Sequence, residues 1–411
     1  MEAHMTRPTG PSGGRASGPP ADPIAAVTHP DPYPYYRELV ARTPLYRDEA
    51  RGLWVAASAD AVTAVLTSPL GRVRPAAEPV PTALVASPAA DVFGRLARMT
   101  DGPGHATMKR AVSATLDSVD APRALAHADR WARSLSAEID PRSSPARVDE
   151  FALALSAHVI GSLLAMPDEA LPAAERCVGQ YTGGVSPGAD AAHVERGKAA
   201  AGHLIAMVRS LSTAPEPGET TGLLGVLHRE AGRAGGADAP AVVANAIGFL
   251  TQAYEATAGL IGNTLLALAA RPDLRARVER APDLLTDAIR EVLRYDPPVQ
   301  NTRRFIVADG PVAGQRMTAG DTVLVVLASA NHDAAANPAP ERFDVARASR
   351  RTFTLGAGIH GCPGESLAIT IARAGVEQLL ARGVALAPLA EAVTYRPSGN
   401  LRVPLFARGT A

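Results

Sequence analysis

The stretch 239–270 constrains this chain more than any other, because it is apolar nearly all the way round a helix. A helix with one wet face places polar residues along one side; a helix without one must be buried on every side. The chain therefore has to wrap other elements around this segment. With 411 residues, 46% of them hydrophobic, it has the material to do so. Helical patterns also cover 34–42, 59–67, 105–116, 121–138, 148–165, 167–180, 190–212, 282–295 and 364–382, in stretches rich in Ala, Arg and Leu. Alternation suited to strands is confined to a hairpin over 45–57 turning at Gly52, to short pieces near 303–307, 310–312 and 322–327, and to a β-like tail at 386–406. The expected class is mainly α with a small β region.

Residues 1–24 are rich in Gly, Pro, Arg and Ser and read as a disordered tail. Residues 25–411 read as one folded unit, because 214–221 and 232–239 look like loops rather than boundaries. The Pro- and Gly-bearing stretch 68–100 reads as a long loop with a turn of helix, and loops of that length are often functional. Basic and acidic residues balance at 41 each, which argues against a nucleic-acid binder. No run of about eighteen apolar residues exists to span a membrane, and the start lacks the apolar stretch of a signal peptide. Cys177 and Cys362 lie too far apart to suggest a disulfide framework or a zinc site. A reducing cytoplasm fits these features.

The segment Leu355-Gly356-Ala357-Gly358-Ile359-His360-Gly361-Cys362-Pro363-Gly364 is the most informative in the chain. Its glycines allow tight turns and close approach to a flat surface. Cys362 sits just before a helix start, where unpaired N–H groups should lower a thiol pKa and tune a metal held by the sulfur. His360 can donate to an anion nearby.

This segment resembles the haem-binding loop of cytochromes P450 of the soluble bacterial type, whose usual form is Phe-Gly-x-Gly-x-His-x-Cys-x-Gly. It matches at Gly356, Gly358, His360, Cys362 and Gly364, and departs at Leu355, where Phe is usual. Pro363 removes one N–H near the sulfur. The resemblance implies the P450 fold, with haem b (iron protoporphyrin IX) buried between the long central helix and the cysteine loop, and Cys362 as the iron ligand. Glu291-x-x-Arg294 and Pro340-Glu341-Arg342-Phe343 resemble the family's charged cluster, which implies structural roles for Glu291, Arg294 and Arg342. His105-x-x-x-Lys109 resembles a His-x-x-x-Arg that serves the haem propionates, with Lys as a point charge in place of a bidentate fork. Arg304 aligns with another propionate arginine, with Arg303 as the neighbouring register, and His360 belongs to the same set.

On the central helix, Thr251-Gln252-Ala253-Tyr254-Glu255-Ala256-Thr257 resembles the family's Ala-Gly-x-Asp/Glu-Thr-Thr, an acid–alcohol pair that relays protons. Glu255 keeps the acid. Ala256 stands at the alcohol position, and Thr257 lies about 100° further round the helix. Three readings follow: substrate or water replaces the missing hydroxyl; the enzyme couples radicals to form C–C, C–N or C–O bonds without inserting oxygen; or Thr257 reaches in through a local distortion. The resemblance implies an O₂- and ferredoxin-dependent monooxygenase or coupling oxidase acting on a specialised metabolite. Ferredoxin, itself served by a ferredoxin reductase, would dock near Lys109, Arg110, Arg350 and Arg351. Substrate would touch 68–100, 178–190, Gln252, Ala253, Ala256, Asn301, Thr302, Asn400 and Leu401. A monomer is expected. The competing class is a non-catalytic haem-binding sensor or carrier.

Overall fold

The computed structural model describes residues 18–212, 222–235, 238–391 and 393–406. Its helices are α1 (Tyr33–Arg42), α2 (Ala59–Thr67), α3 (Pro88–Phe93), α4 (Gly102–Asp117), α5 (Ala121–Ile139), α6 (Pro145–Leu163), α7 (Leu171–Val185), α8 (Ala191–Ser212), α9 (Leu223–Arg233), α10 (Ala239–Ala269), α11 (Pro272–Arg280), α12 (Leu284–Tyr295), α13 (Leu327–Asn331), α14 (Glu365–Ala381) and α15 (Leu386–Glu391). The strands are β1 (Leu45–Asp48), β2 (Leu53–Ala56), β3 (Gly71–Arg72), β4 (Thr302–Ile306), β5 (Gly310–Val312), β6 (Gln315–Met317), β7 (Thr322–Val325), β8 (Thr394–Tyr395) and β9 (Pro404–Leu405).

Helix starts follow a device visible in the sequence, a side-chain oxygen followed closely by proline. Ser87 accepts from the Ala90 N–H ahead of α3, Asp120 from the Arg123 N–H ahead of α5, and Asp238 from the Ala241 N–H ahead of α10. The α10 helix is buried along most of its length, as its composition requires, and α6, α7, α12 and α14 pack around it. Glycines make that packing possible. A Cβ on Gly259 would fall 2.9 Å from Pro298, and one on Gly375 of α14 would fall 2.8 Å from Leu155 and 3.1 Å from Ile261. At the crossing of α7 and α8, a Cβ on Gly184 would lie 2.7 Å from Gly197 Cα, so the two backbones touch directly.

The main sheet has the order β1-β2-β7-β4-β3, with β2 and β7 parallel and the remaining pairs antiparallel. It packs beside α2 on one core and beside α1 on another. Gly52, with φ +64°, turns the β1–β2 hairpin. The first described helix is tied to the end of the chain by polar contacts. Arg402, 1% exposed, donates to Asp296 at 2.8 Å, to the Tyr395 hydroxyl at 2.7 Å and to the carbonyls of Val27, His29 and Pro30, while Tyr33 donates to Asp296.

Several local expectations change. The tail read as β-like begins with α15, and only β8 and β9 are strands, because Leu386 and Leu389 bury one helical face. The stretch 68–100, expected as a long loop with one turn of helix, holds β3, α3 and two 3-10 turns. The expected tail 1–24 lies outside the described residues as far as position 17; nearer the core, Asp22 caps Ile24 and Ala25. The expected loop 214–221 also lies outside the described residues, and α9 runs into the 232–239 segment as far as Arg233.

Removing one partner from a buried ion pair leaves the other charge uncompensated and costs about 3–5 kcal/mol. Arg402→Met is therefore expected to lower the denaturation midpoint sharply; an unchanged midpoint in a urea titration would show that Asp296 and the three carbonyls do not depend on it.

Candidate active site

Positive φ at Gly356 (+72°) and Gly358 (+66°) lets the chain between Phe353 and Gly364 double back on itself. Gly356 N–H donates to Phe353 at 2.8 Å, Cys362 N–H to Leu355 at 2.8 Å, and Gly361 N–H to Gly358 at 3.0 Å. The Gly364 N–H points at Cys362 Sγ from 3.4 Å, at the start of α14. The loop is anchored from behind. Asn331 Oδ1 accepts the Phe353 N–H at 2.7 Å, and the Thr354 hydroxyl donates to Leu293 at 2.6 Å. Phe353 is buried in the core beside α2 and does not stand in for the missing phenylalanine.

Behind these contacts lies Glu291, fully buried. Arg294 donates twice to one of its oxygens, at 3.0 and 2.6 Å, and Arg350 donates to the other at 2.9 Å. Burial alone would raise this carboxyl, but Arg294 leads the contacts that hold it low. Arg342 enters this cluster differently from the sequence expectation. Its side chain is exposed, and it contributes its backbone carbonyl, which accepts from Arg294 at 2.9 Å; the further guanidiniums are those of Arg347 and Arg350. Both lie in a polar stretch without periodicity, so no sequence signal singled them out for this role.

Cys362 Sγ is the chemical focus. Cys362 keeps exposed surface in the protein by itself, yet the groups around it desolvate the thiol. That burial pushes the thiol pKa up, against the Gly364 N–H and Lys109, which favour the thiolate. The expected lowering by the helix start is thus overturned for the protein by itself; one long N–H contact does not outweigh desolvation. A cation bound at the sulfur would reverse the balance.

To one side lies a polar cluster. His105, 2% exposed, sits with Nδ1 2.8 Å from the Ala97 carbonyl and Nε2 3.2 Å from that of Ile359, and its ring lies 4.1 Å from the His360 ring. His360 Nε2 is 3.1 Å from Asp101, while its buried Nδ1 has no partner. Arg304 is buried, and its one side-chain hydrogen bond among the described residues is to the neighbouring Arg303 carbonyl; Arg303 is less buried, so Arg304 is the inward register. Lys109 donates to Gly361 and is pushed down by burial. A buried unpartnered imidazole nitrogen and a buried guanidinium with no carboxylate bonded to it, beside a desolvated sulfur, suit an anionic, flat, metal-bearing group such as haem. Such a group supplies carboxylates for the cations and a metal for the sulfur.

On the central helix, Gln252 and Ala256 lie one turn apart, and Gln252 folds its amide back to the Gly248 carbonyl at 2.9 Å. Ala253 packs at the edge of the core and Thr257 is buried at 1% exposure. Glu255 pairs with Arg396 at 3.5 Å, a partner that the sequence did not reveal. Asn301 Nδ2 donates to Gly399 at 2.8 Å, Asn400 accepts from Gln300, Val299 bridges Leu401, and Thr302 opens β4. The 298–302 and 399–403 segments reach α10 at Gly259, where Pro298 and the Arg402 carbonyl approach. Of the cations expected to meet a redox partner, Arg350 is engaged with Glu291, Arg351 with Thr63, Arg110 with the Ala234 carbonyl and Lys109 with Gly361.

Comparison with known proteins agrees with this geometry. A family model described as Cytochrome P450 matches residues 223–382. The cytochrome P450 monooxygenase PikC of Streptomyces venezuelae is 31% identical over 399 residues, covering 90% of this chain and 88% of that protein. The C-19 steroid 1alpha-hydroxylase of Sorangium cellulosum is 31% identical over 70% of this chain and 74% of its own. The crystal structure of CalO2 superposes with a TM-score of 0.78 at 28% identity, covering 94% of this chain and 99% of that one.

Purified protein carrying haem is expected to show the red-shifted Soret band of a thiolate-ligated CO complex. Cys362→Ser should abolish that band, and Glu291→Gln should cut the yield of haem-bearing protein by releasing the loop. A band that survives Cys362→Ser would exclude this sulfur as the ligand.

Proposed function

The chain belongs to the cytochrome P450 family, and on that basis we propose that it is a haem-thiolate oxidase, held to its iron by Cys362, that oxidises a specialised metabolite with O₂ and electrons from a ferredoxin. The observation that carries this reading is the desolvated Cys362 sulfur, flanked by the unpartnered His360 Nδ1 and the buried Arg304. The monooxygenase among its relatives supports oxygenation, and the C-19 steroid hydroxylase supports a bulky, largely apolar small molecule as the substrate.

When bound, a thiolate-ligated haem supplies oxygen activation, because the sulfur pushes electron density that favours O–O cleavage. The chain's own residues position and protonate. Arg304, His105, His360 and Lys109 would hold the propionates, with Asp101 orienting His360. Burial would raise the Asp101 carboxyl, but the His360 hydrogen bond and the Val73 N–H hold it low, so it stays an acceptor. Burial lowers His360 more than Asp101 raises it.

Proton supply is where this chain departs from its family. Ala256 has no hydroxyl, and α10 is helical without interruption from Ala239 to Ala269. An unbroken helix gives no support to the reading in which Thr257 reaches in through a distortion. Two routes remain: substrate or water fills the place of the hydroxyl, or the reaction removes hydrogen atoms and couples radicals. The Glu255–Arg396 pair favours the first, since a carboxylate held by a partly exposed arginine can pass a proton when the pair opens.

Mass spectrometry of products should therefore show a gain of one oxygen, and Ala256→Thr should alter turnover by less than about tenfold. A product lacking two hydrogens would establish coupling instead. Absence of turnover with both peroxide and a surrogate ferredoxin would leave the sensor or carrier reading standing.

A further inference from the structure

The central helix has one opening. From Val242 to Leu268, α10 is buried or half-buried at every residue except Gln252, which is exposed. Gly248, Gln252, Ala256 and Gly259 recur at helical spacing, so they share one face. Both ends of that face are covered. At Gly248 a Cβ would come within 2.8 Å of Leu96, and at Gly259 within 2.9 Å of Pro298. Asn245 of α10 pins the Leu96 segment, accepting the Ala97 N–H at 2.9 Å and donating to the Arg95 carbonyl at 2.8 Å. The Ala97 carbonyl in turn lies 2.8 Å from Nδ1 of His105. The Pro298 segment runs on into β4, which carries the buried Arg304. Gln252 and Ala256 thus lie between two covering segments, and each segment leads to a residue assigned above to the propionates.

In that gap the Gln252 side chain has a fixed orientation. Its amide nitrogen lies 2.9 Å from the Gly248 carbonyl. A carbonyl only accepts, so the atom against it is Nε2, and the amide cannot turn over without losing the bond. Glycine at 248 lets it lie there, because a Cβ at that position would stand 2.8 Å from Nε2. Glycine weakens a helix interior, and here it admits two close approaches, by Leu96 and by the amide. Oε1 has no hydrogen-bond partner among the described residues. An amide oriented by the backbone, with its acceptor left open, is preorganised for a hydrogen-bond donor.

We propose that Gln252 determines specificity by receiving, at Oε1, a hydroxyl or N–H of the substrate. The assignment rests on the haem-thiolate reading and adds to it a substrate class, a molecule bearing a neutral hydrogen-bond donor near the carbon that reacts. Ala256 lies one turn away on the same face, so a hydroxyl held by Gln252 stands beside the place of the missing alcohol.

The test uses haem-loaded protein and 1-(ω-hydroxyalkyl)imidazoles of increasing chain length, each beside its terminal fluoride, which keeps the size and lacks the O–H. The imidazole anchors one end on the iron, and the Soret shift reads the Kd. At the length that reaches Gln252, the alcohol should bind about three- to tenfold tighter than the fluoride. Gln252→Met, similar in shape but without the amide, should erase that preference and leave the binding of the fluorides unchanged. Gln252→Glu, which keeps an acceptor oxygen, should retain it. Equal binding of alcohol and fluoride at every length, or a preference that survives Gln252→Met, overturns the assignment alone. Loss of haem from Gln252→Met overturns it in favour of a contact with the haem itself. No Soret shift even with imidazole overturns the haem-thiolate reading and this assignment with it.

Discussion

A carboxylate with no exposed surface, Glu291, holds this site in place. Its two oxygens receive Arg294, Arg350 and the Asp344 N–H, while Arg294 also binds the carbonyls of Pro340 and Arg342. A buried charge of this kind stabilises only as part of a complete set, because any missing partner leaves a desolvated ion. The set therefore fixes the 340–350 segment against α12. Thr354 and Asn331 carry that rigidity on to the cysteine loop. The positively curved turns at Gly356 and Gly358 then have a firm base to spring from.

The same low-dielectric surroundings give the site its chemical character. Burial raises the Cys362 thiol and lowers Lys109, His360 and Arg304, so the charged form of each costs more here than it would in water. Such a site is poised for a ligand carrying the complementary charges, a metal for the sulfur and carboxylates for the cations. The family membership and the sequence motif point to the same group.

Much of this was legible in the chain. The all-round apolar pattern of 239–270 gave α10 its central place, and the Gly-x-Gly-x-His-x-Cys spacing marked the loop. What escaped depends on pairings distant in sequence. Arg347 and Arg350, rather than the Arg342 side chain, complete the Glu291 cluster because the backbone of 340–350 doubles back, which no local pattern announces. Arg396 meets Glu255 across more than a hundred positions. The thiol shift was misjudged because a helix start is visible in sequence whereas desolvation by distant segments is not.

The crossing of α7 and α8 at Gly184 and Gly197 has a mechanical consequence. With backbone against backbone, the two helices have no side-chain layer between them to slide on, so they behave as a single stiff bracket. Tyr181, on α7, is part of that bracket. Lengthening either glycine by even one methyl would splay the bracket, so the span of the vault over the central helix is set by two hydrogen atoms.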